Sequence, residues 1–357
     1  MNKIYWIACS FFLSIVLVVP ITASAQNEED IAAFLQAGEE DASKLMEAYL
    51  QPIVKSLSYG MAGGWYTTAK PHKTLGFDLS LTMNLAFVPT SENYFNPNKL
   101  GLSSNFTGFT NTTKNNSTKA PTIVGPKDRT EYTFSGDLDG DSGTPDQSVT
   151  IVGPEGFNLK EEIGFSSAPV PMIQLGIGVI KNTDLKFRFV PKQQFGSSDF
   201  SMFGIGVMHD IKQHIKGIKL LPFDLSALVA YNSVSGSTDL SNSNPSNGPV
   251  SDKGMLEYKF NSWVIQALIS KKISVLTGYA GLGYSIVNTN VDINGDYTVE
   301  ANPVDFVLTD PVTIDFKNNS MRLTLGMRLK LGPVFFNGDY TFQKYNTLSV
   351  GFGFAVR

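Results

Sequence analysis

The segment Thr347 to Val356 reads TLSVGFGFAV, and its side chains sort by parity. Leu348, Val350, Phe352, Phe354 and Val356 fall on one face; Ser349, Gly351, Gly353 and Ala355 fall on the other. A period of two marks a strand whose faces meet different surroundings. The same pattern runs from Leu75 to Phe87, with Leu75, Phe77, Leu79, Leu81, Met83, Leu85 and Phe87 opposite Gly76, Asp78, Ser80, Thr82, Asn84 and Ala86. A tilted strand needs only about 9–11 residues to cross a bilayer core. Similar segments follow at 171–180, 184–192, 199–211, 222–235, 255–271, 272–290, 316–330 and 333–344, which predicts ten strands with 347–356.

The connections sort as cleanly as the side chains. Links around Asn182, from Lys212 to Leu221, at Lys271-Lys272 and at Leu331-Gly332 are short. Links 89–170, 236–254 and 291–315 are long, and the two kinds alternate. Short periplasmic turns and long external loops do this in outer-membrane barrels. The tight turn at Lys344 to Asn346 is the exception on the long-loop side. The expectation is an all-β transmembrane antiparallel barrel of 10–12 strands, residues 74–357. The upper count allows a further hairpin around Thr130 to Phe134 and Val149 to Val152 in the long insertion.

The start of the chain has a different period. Ile31, Phe34 and Leu35, then Leu45, Tyr49, Ile53 and Leu57, recur at helical spacing, with Gly38 as a break. This predicts a periplasmic helical segment over 26–58, with Asp41 as a cap and Pro52 as a kink or first turn. Residues 59–73 read as a glycine-rich connector. Two arrangements fit: the helix packs at the barrel mouth, or it plugs the lumen. In either case it is expected at the periplasmic mouth, with Gly60, Gly63 and Gly64 turning the chain into the first strand. Trp65 and Tyr66 would then sit at the lipid–water boundary, and Lys70, His72 and Lys73 would meet lipid headgroups or the acidic face of the helix.

Residues 1–25 carry an export signature. Lys3 precedes an apolar run from Ile4 to Ile21, and Ala23-Ser24-Ala25 is an A-x-A cleavage signal. Cys9, the sole cysteine, lies within it, so disulfides and thiol chemistry are excluded from the mature chain. The net charge is −4, and loss of Lys3 makes it one unit more negative, which excludes a nucleic-acid partner on charge. Charged residues are 17%, against about 25% in soluble domains. The expected partners are outer-membrane lipid and the machinery that assembles such barrels.

Charge also orients the wall. Arg or Lys on the lipid face near the midplane costs about 2–4 kcal/mol. Met321, Leu323, Leu325, Met327 and Leu329 therefore face lipid, which turns Arg322, Arg328 and Lys330 inward. The same logic makes Asp78, Asn84, Lys186, Arg188 and Asp339 lumen-facing candidates. They make either a mildly basic lumen that selects a solute or buried pairs, such as Arg322 with Asp339, that fill a narrow one.

Chemistry is otherwise sparse. Asp137, Asp139, Asp141 and Asp146 on a glycine-bearing turn either offer oxygens to calcium or form a solvated acidic turn; Ser148 stands where an EF-hand has Glu. His72, His209 and His214 are the histidines; the last two flank a Lys-rich turn, too far apart for one strand face. No catalytic constellation is present, and no enzyme or other cofactor is expected.

The blocks Glu47-Ala-Tyr-Leu-Gln-Pro-Ile-Val-Lys, Tyr59-Gly, Gly64-Trp65-Tyr66-Thr-Thr-Ala69-Lys70-Pro71-His72-Lys73 and Gly76-Phe77-Asp78 resemble the N-terminal signature of an outer-membrane barrel family of Bacteroidota-type bacteria. That family carries no assigned activity. A looser likeness is to the long-chain fatty-acid channel superfamily, whose Asn-Pro-Ala hatch motif is missing here. The expected function is a small or gated channel for solutes, hydrophobic ones included. The alternative is a closed structural or surface-binding barrel that acts through its external loops.

Overall fold

The computed structural model describes residues 32–113, 118–138, 146–195, 197–240, 251, 253–299 and 305–356. Ten antiparallel strands form its frame: β1 (Phe77–Phe87), β2 (Ser167–Gly178), β3 (Thr183–Phe195), β4 (Ser198–Asp210) and β5 (Asp224–Asp239). They continue as β6 (Met255–Ile273), β7 (Leu276–Asn294), β8 (Ser320–Leu331), β9 (Val334–Phe342) and β10 (Thr347–Val356). Each pairs with its neighbours in sequence, and β1 closes the ring on β10 in the register Phe77↔Val356 to Ala86↔Thr347. Closure leaves no free edge strand, as a wall solvated by lipid requires, although the β2–β3 ladder runs only from Leu175↔Phe187 to Gly178↔Asp184. A short extension, Val312–Lys317, continues the β8 position upward along β7.

The polarity is inverted relative to a water-soluble fold. On β1 the buried positions are Asp78, Ser80, Thr82, Asn84 and Ala86, while Leu79 is exposed. Phe189, Phe203, Trp263, Ile265, Leu282, Leu325 and Phe336 are exposed around the outside. A continuous apolar exterior around a polar interior is the arrangement of a barrel in a bilayer. No helix among the described residues is long and apolar enough to cross a membrane.

The ends differ as the link lengths predict. Lys181 and Asn182, with φ of 57° and 53°, close the β2–β3 hairpin in the left-handed region that tight hairpin turns use. At the opposite end the described parts of the long links fold into a cap. Strands 106–111, 130–136 and 147–153 form a three-stranded sheet, and 296–299 pairs with 306–309. The predicted extra hairpin therefore exists, but it belongs to the cap, and the barrel has ten strands.

The N-terminal helix is at the cap end, not at the short-turn end where the sequence reading placed it. A 3₁₀ turn (Ala32–Ala37) leads through Gly38, φ 83°, into α1 (Glu39–Met61). A Cβ at Gly38 would lie 2.8 Å from the Leu138 carbonyl oxygen, so the break suits glycine twice over. Asp41 is not the cap residue; its carboxylate accepts from the Ser103 amide and hydroxyl and ties α1 to the loop beside it. Pro52 lies inside the helix without ending it. Phe34 packs edge-on against Tyr49 and Tyr132, and Leu35, Leu45 and Tyr49 share a core with Phe134, Ile151 and Tyr297. The helix is thus the core of the cap, and the cap sheets cover its apolar face.

Candidate functional site

The C-terminal turn of α1 enters the barrel mouth, and the chain after it runs down the lumen. Ser56 Oγ donates to the Ala86 carbonyl at 2.6 Å and accepts from the Ala168 amide at 3.1 Å, at the upper ends of β1 and β2. Ser58 Oγ meets Thr289 Oγ1 at 3.4 Å on β7. Residues 59–73, expected as a glycine-rich connector at the periplasmic mouth, are the lumen's occupant.

This stretch has little regular structure, so its backbone groups need partners from the wall. Asn232 Nδ2 donates to the Met61 carbonyl at 2.8 Å. Arg188 donates to the carbonyls of Met61 and Gly63 at 3.3 and 2.8 Å. Arg322 donates to the Ala62 carbonyl at 2.7 Å, and Gln174 to the Trp65 carbonyl at 3.2 Å. Lower down, Ser226 Oγ donates to the Ala69 carbonyl at 2.5 Å, and the Ala69 amide donates to Ser270 Oγ at 2.9 Å. The His72 amide donates to Asp184 at 2.8 Å. The His72 ring sits between two carboxylates, with Nδ1 2.9 Å from Asp184 and Nε2 3.2 Å from Asp78. At Leu75, φ 65°, the chain reverses into β1 at the short-turn end.

Trp65 and Tyr66 are therefore not at a lipid boundary. Both are buried in the lumen with Ala62 and Ala69, against Met208, Leu228, Val264 and Leu268 of the wall. The Arg188 guanidinium stacks on the Trp65 ring at 3.7 Å, and Gln266 donates to Tyr66 Oη at 3.2 Å. Gly206 lets Trp65 approach, since a Cβ there would lie 3.0 Å from the ring. At Gly281 a Cβ would be 2.0 Å from Tyr66 Oη. Gly281→Val is accordingly expected to unseat Tyr66. Overpacking typically costs about 1–3 kcal/mol, read as a lower melting temperature and faster proteolysis of the lumen segment in an otherwise intact barrel.

All seven lumen-facing candidates are buried. Arg188 and Arg322 hold the threaded backbone, and Asn84 packs against Gly63 and Gly64. Asp78 contacts His72, and Lys186 lies 3.9 Å from Asp184. Arg328 stacks on the Phe335 ring at 3.8 Å. Asp339 accepts from Tyr279 Oη at 2.9 Å, so the expected Arg322–Asp339 pair is replaced by one bond to a tyrosine and one to the threaded chain.

The sequence reading missed the residues that hold this chain: Gln174, Ser226, Asn232, Gln266 and Ser270. One signal was available. On β5, Leu228 and Ala230 face inward while Val229 faces outward, so both faces carry apolar groups and something dry must pack inside. His209 and His214 share no strand face, yet their Nε2 atoms lie 3.0 Å apart, because the link after β4 folds back on its strand. Of the proposed calcium turn, Asp139 and Asp141 lie outside the described residues. Among the described residues no three His, Cys, Asp or Glu side chains gather as a metal site.

Residues 1–356 match the Family of unknown function (DUF6588). No curated protein matches the chain. The translocator domain of the autotransporter NalP from Neisseria meningitidis is similar at 10% identity, with 88% of this chain and 98% of that one covered and a TM-score of 0.30. The outer membrane protease OmpT from Escherichia coli is similar at 7% identity, over 78% and 93%, with a TM-score of 0.29. A monoaromatic hydrocarbon channel, CymD, is similar at 10% identity, over 84% and 96%, with a TM-score of 0.17.

Proposed function

We propose that this chain, which belongs to the Family of unknown function (DUF6588), is an outer-membrane barrel that is closed at rest and acts through its cap. The observation that carries this reading is the threaded segment 62–72. Its backbone is held by side chains from β2, β3, β5, β6 and β8, and its aromatic rings are buried at mid-barrel. Inward-facing Asn84, Arg188, Leu228, Val264 and Ser285, on five different strands, are fully buried. A lumen filled this way passes no solute, so the expected channel requires the segment to leave. The reading assigns no catalytic chemistry; the partners are surrounding lipid, the assembly machinery and whatever binds the cap.

Orientation follows from link lengths, with short turns in the periplasm and long loops outside. Glu39 to Ser58 then stands on the cell surface, and the chain from there to Lys73 passes through the barrel on its way to β1. Placing cysteine at Glu40 and at Lys271, both exposed, tests the orientation. In intact cells an impermeant maleimide is expected to label Glu40→Cys and to spare Lys271→Cys until the outer membrane is permeabilised. The opposite pattern would place the cap in the periplasm and end the surface reading.

A further inference from the structure

The link between β4 and β5 is longer than its task requires. The other hairpins at the short-turn end close in four residues (179–182) or two (274–275 and 332–333), whereas this one takes thirteen, 211–223. Two residues suffice for a hairpin. The additional sequence, IKQHIKGIKLLPF, alternates lysine with apolar groups.

The base of the loop is fixed to the barrel. Gln213 Nε2 donates to the carbonyls of Lys181 and Asp210 at 3.1 and 2.9 Å, and His214 is braced on His209. Lys212 Nζ is turned inward and donates to the carbonyls of Leu221 and Phe223. The tip projects, and it reverses at Gly217, φ 92°. Ile215, Leu220 and Leu221 are 42%, 95% and 45% exposed. Lys216 and Lys219 are exposed and make no hydrogen bond or ion pair among the described residues.

The surroundings indicate what covers this tip. The apolar outer band runs down to the turns at this end, where Ile180 and Ile273 are 68% and 67% exposed. Lys181, Lys271 and Lys272 stand beside them in solvent. Of the nearby carboxylates, Asp78 and Asp184 are buried around His72, and Asp210 and Asp224 are half-buried. The rim is therefore basic where the apolar band ends, at headgroup level.

We propose that loop 211–223 is a lipid-binding site for anionic phospholipid headgroups of the leaflet at the short-turn end. Ile215, Leu220 and Leu221 enter the acyl boundary, and Lys216 and Lys219 engage phosphates. Apolar groups interleaved with lysines bind such surfaces by burial and charge together. A basic side chain near an anionic leaflet contributes on the order of five-fold in binding. The proposal rests on the reading of the barrel as membrane-spanning.

The test uses the mature full-length chain, which has no cysteine once the leader is removed. Leu220→Cys is labelled with a fluorophore in phosphatidylcholine vesicles with and without phosphatidylglycerol, and quenching by spin-labelled lipid is read. Leu282→Cys, on the outer wall of β7, is the control. The expected result is lipid quenching at position 220 that strengthens with phosphatidylglycerol. The phosphatidylglycerol preference should fall roughly five-fold for each of Lys216→Gln and Lys219→Gln. Equal quenching in both lipids, or quenching at 220 only by a water-soluble agent, overturns the proposal. If the control at 282 is also reached from water, the membrane-spanning reading fails with it. If 282 stays in lipid while 220 stays in water, the loop proposal alone fails.

Discussion

Removing residues 28–73 is expected to turn a silent protein into a conducting one. In planar bilayers the intact mature chain should show conductance near zero, because Trp65, Tyr66 and the backbone from Met61 to His72 fill the lumen. Without them the inner wall presents Asp78, Ser80, Thr82, Asn84, Arg188, Asn232, Arg322 and Asp339 around an empty core. Buried polar and charged groups that lose their partners draw water in, since leaving them dry and unpaired costs several kcal/mol each on the order of a lost hydrogen bond or more. A shorter deletion that ends at Ser58 should behave differently. It removes the cap's core helix but leaves the segment bound by Arg188, Arg322, Gln174 and Ser270, so the lumen stays shut. Retained heat-modifiability verifies folding in each case. A folded 28–73 deletion that remains silent would mean that the wall's own side chains collapse into the gap, and the segment would no longer explain closure. Conductance from the intact chain would refute the closed state directly and return the reading to a channel.

Arg188→Ala is expected to be the most damaging single substitution in the lumen. The guanidinium is buried, donates to two carbonyls of the threaded chain and to Gln174 Oε1 at 3.1 Å, and stacks on Trp65. The Met61 carbonyl keeps its bond from Asn232, but alanine leaves the Gly63 carbonyl and Gln174 Oε1 without this donor at about 1–3 kcal/mol each. It also removes a desolvated cation–π contact of about 2 kcal/mol and opens a void beside the ring. Taken together, and discounting the relief of no longer burying a charge, a net loss of about 3–5 kcal/mol is expected, in the range for breaking a buried charged network. The loss falls on the lumen segment and not on the strand ladder. The readout is therefore protease cleavage within 59–73 and intermittent conductance, with the barrel still heat-modifiable. Arg188→Met, which keeps most of the volume but not the donors, should fall between the two. Unchanged cleavage and no conductance in Arg188→Ala would show that the segment is held mainly by its apolar contacts with Met208, Leu228, Val264 and Leu268.

The barrel was legible in the sequence because its rules are local. Each strand reports its two environments in the parity of its own side chains, and cost at the lipid face decides which parity points out. Asp78, Ser80, Thr82 and Asn84 inside and Leu79 outside follow from residues 77–87 alone. Link lengths are likewise counted directly, and they set the two ends apart. The helix was legible in kind, with its break at Gly38, for the same reason: its period is its own. Its place was not. Hydrogen bonds that seat the threaded segment join residues separated by 109 positions (Trp65 to Gln174), 171 (Met61 to Asn232), 201 (Ala69 to Ser270) and 260 (Ala62 to Arg322). No period within residues 59–73 encodes those partners, and the glycines there read equally well as a hinge. Even the block Gly64 to Lys73, distinctive as a string, gives its reason only in the fold, where Trp65, Tyr66, Ala69 and His72 each meet a different part of the wall. The sequence by itself determined a lipid-facing barrel with two unlike ends. Only closure of the ten strands into a ring decided what fills it, because the ring brings distant inward-facing side chains around one axis, and the nearest chain able to satisfy them is the protein's own N-terminal segment.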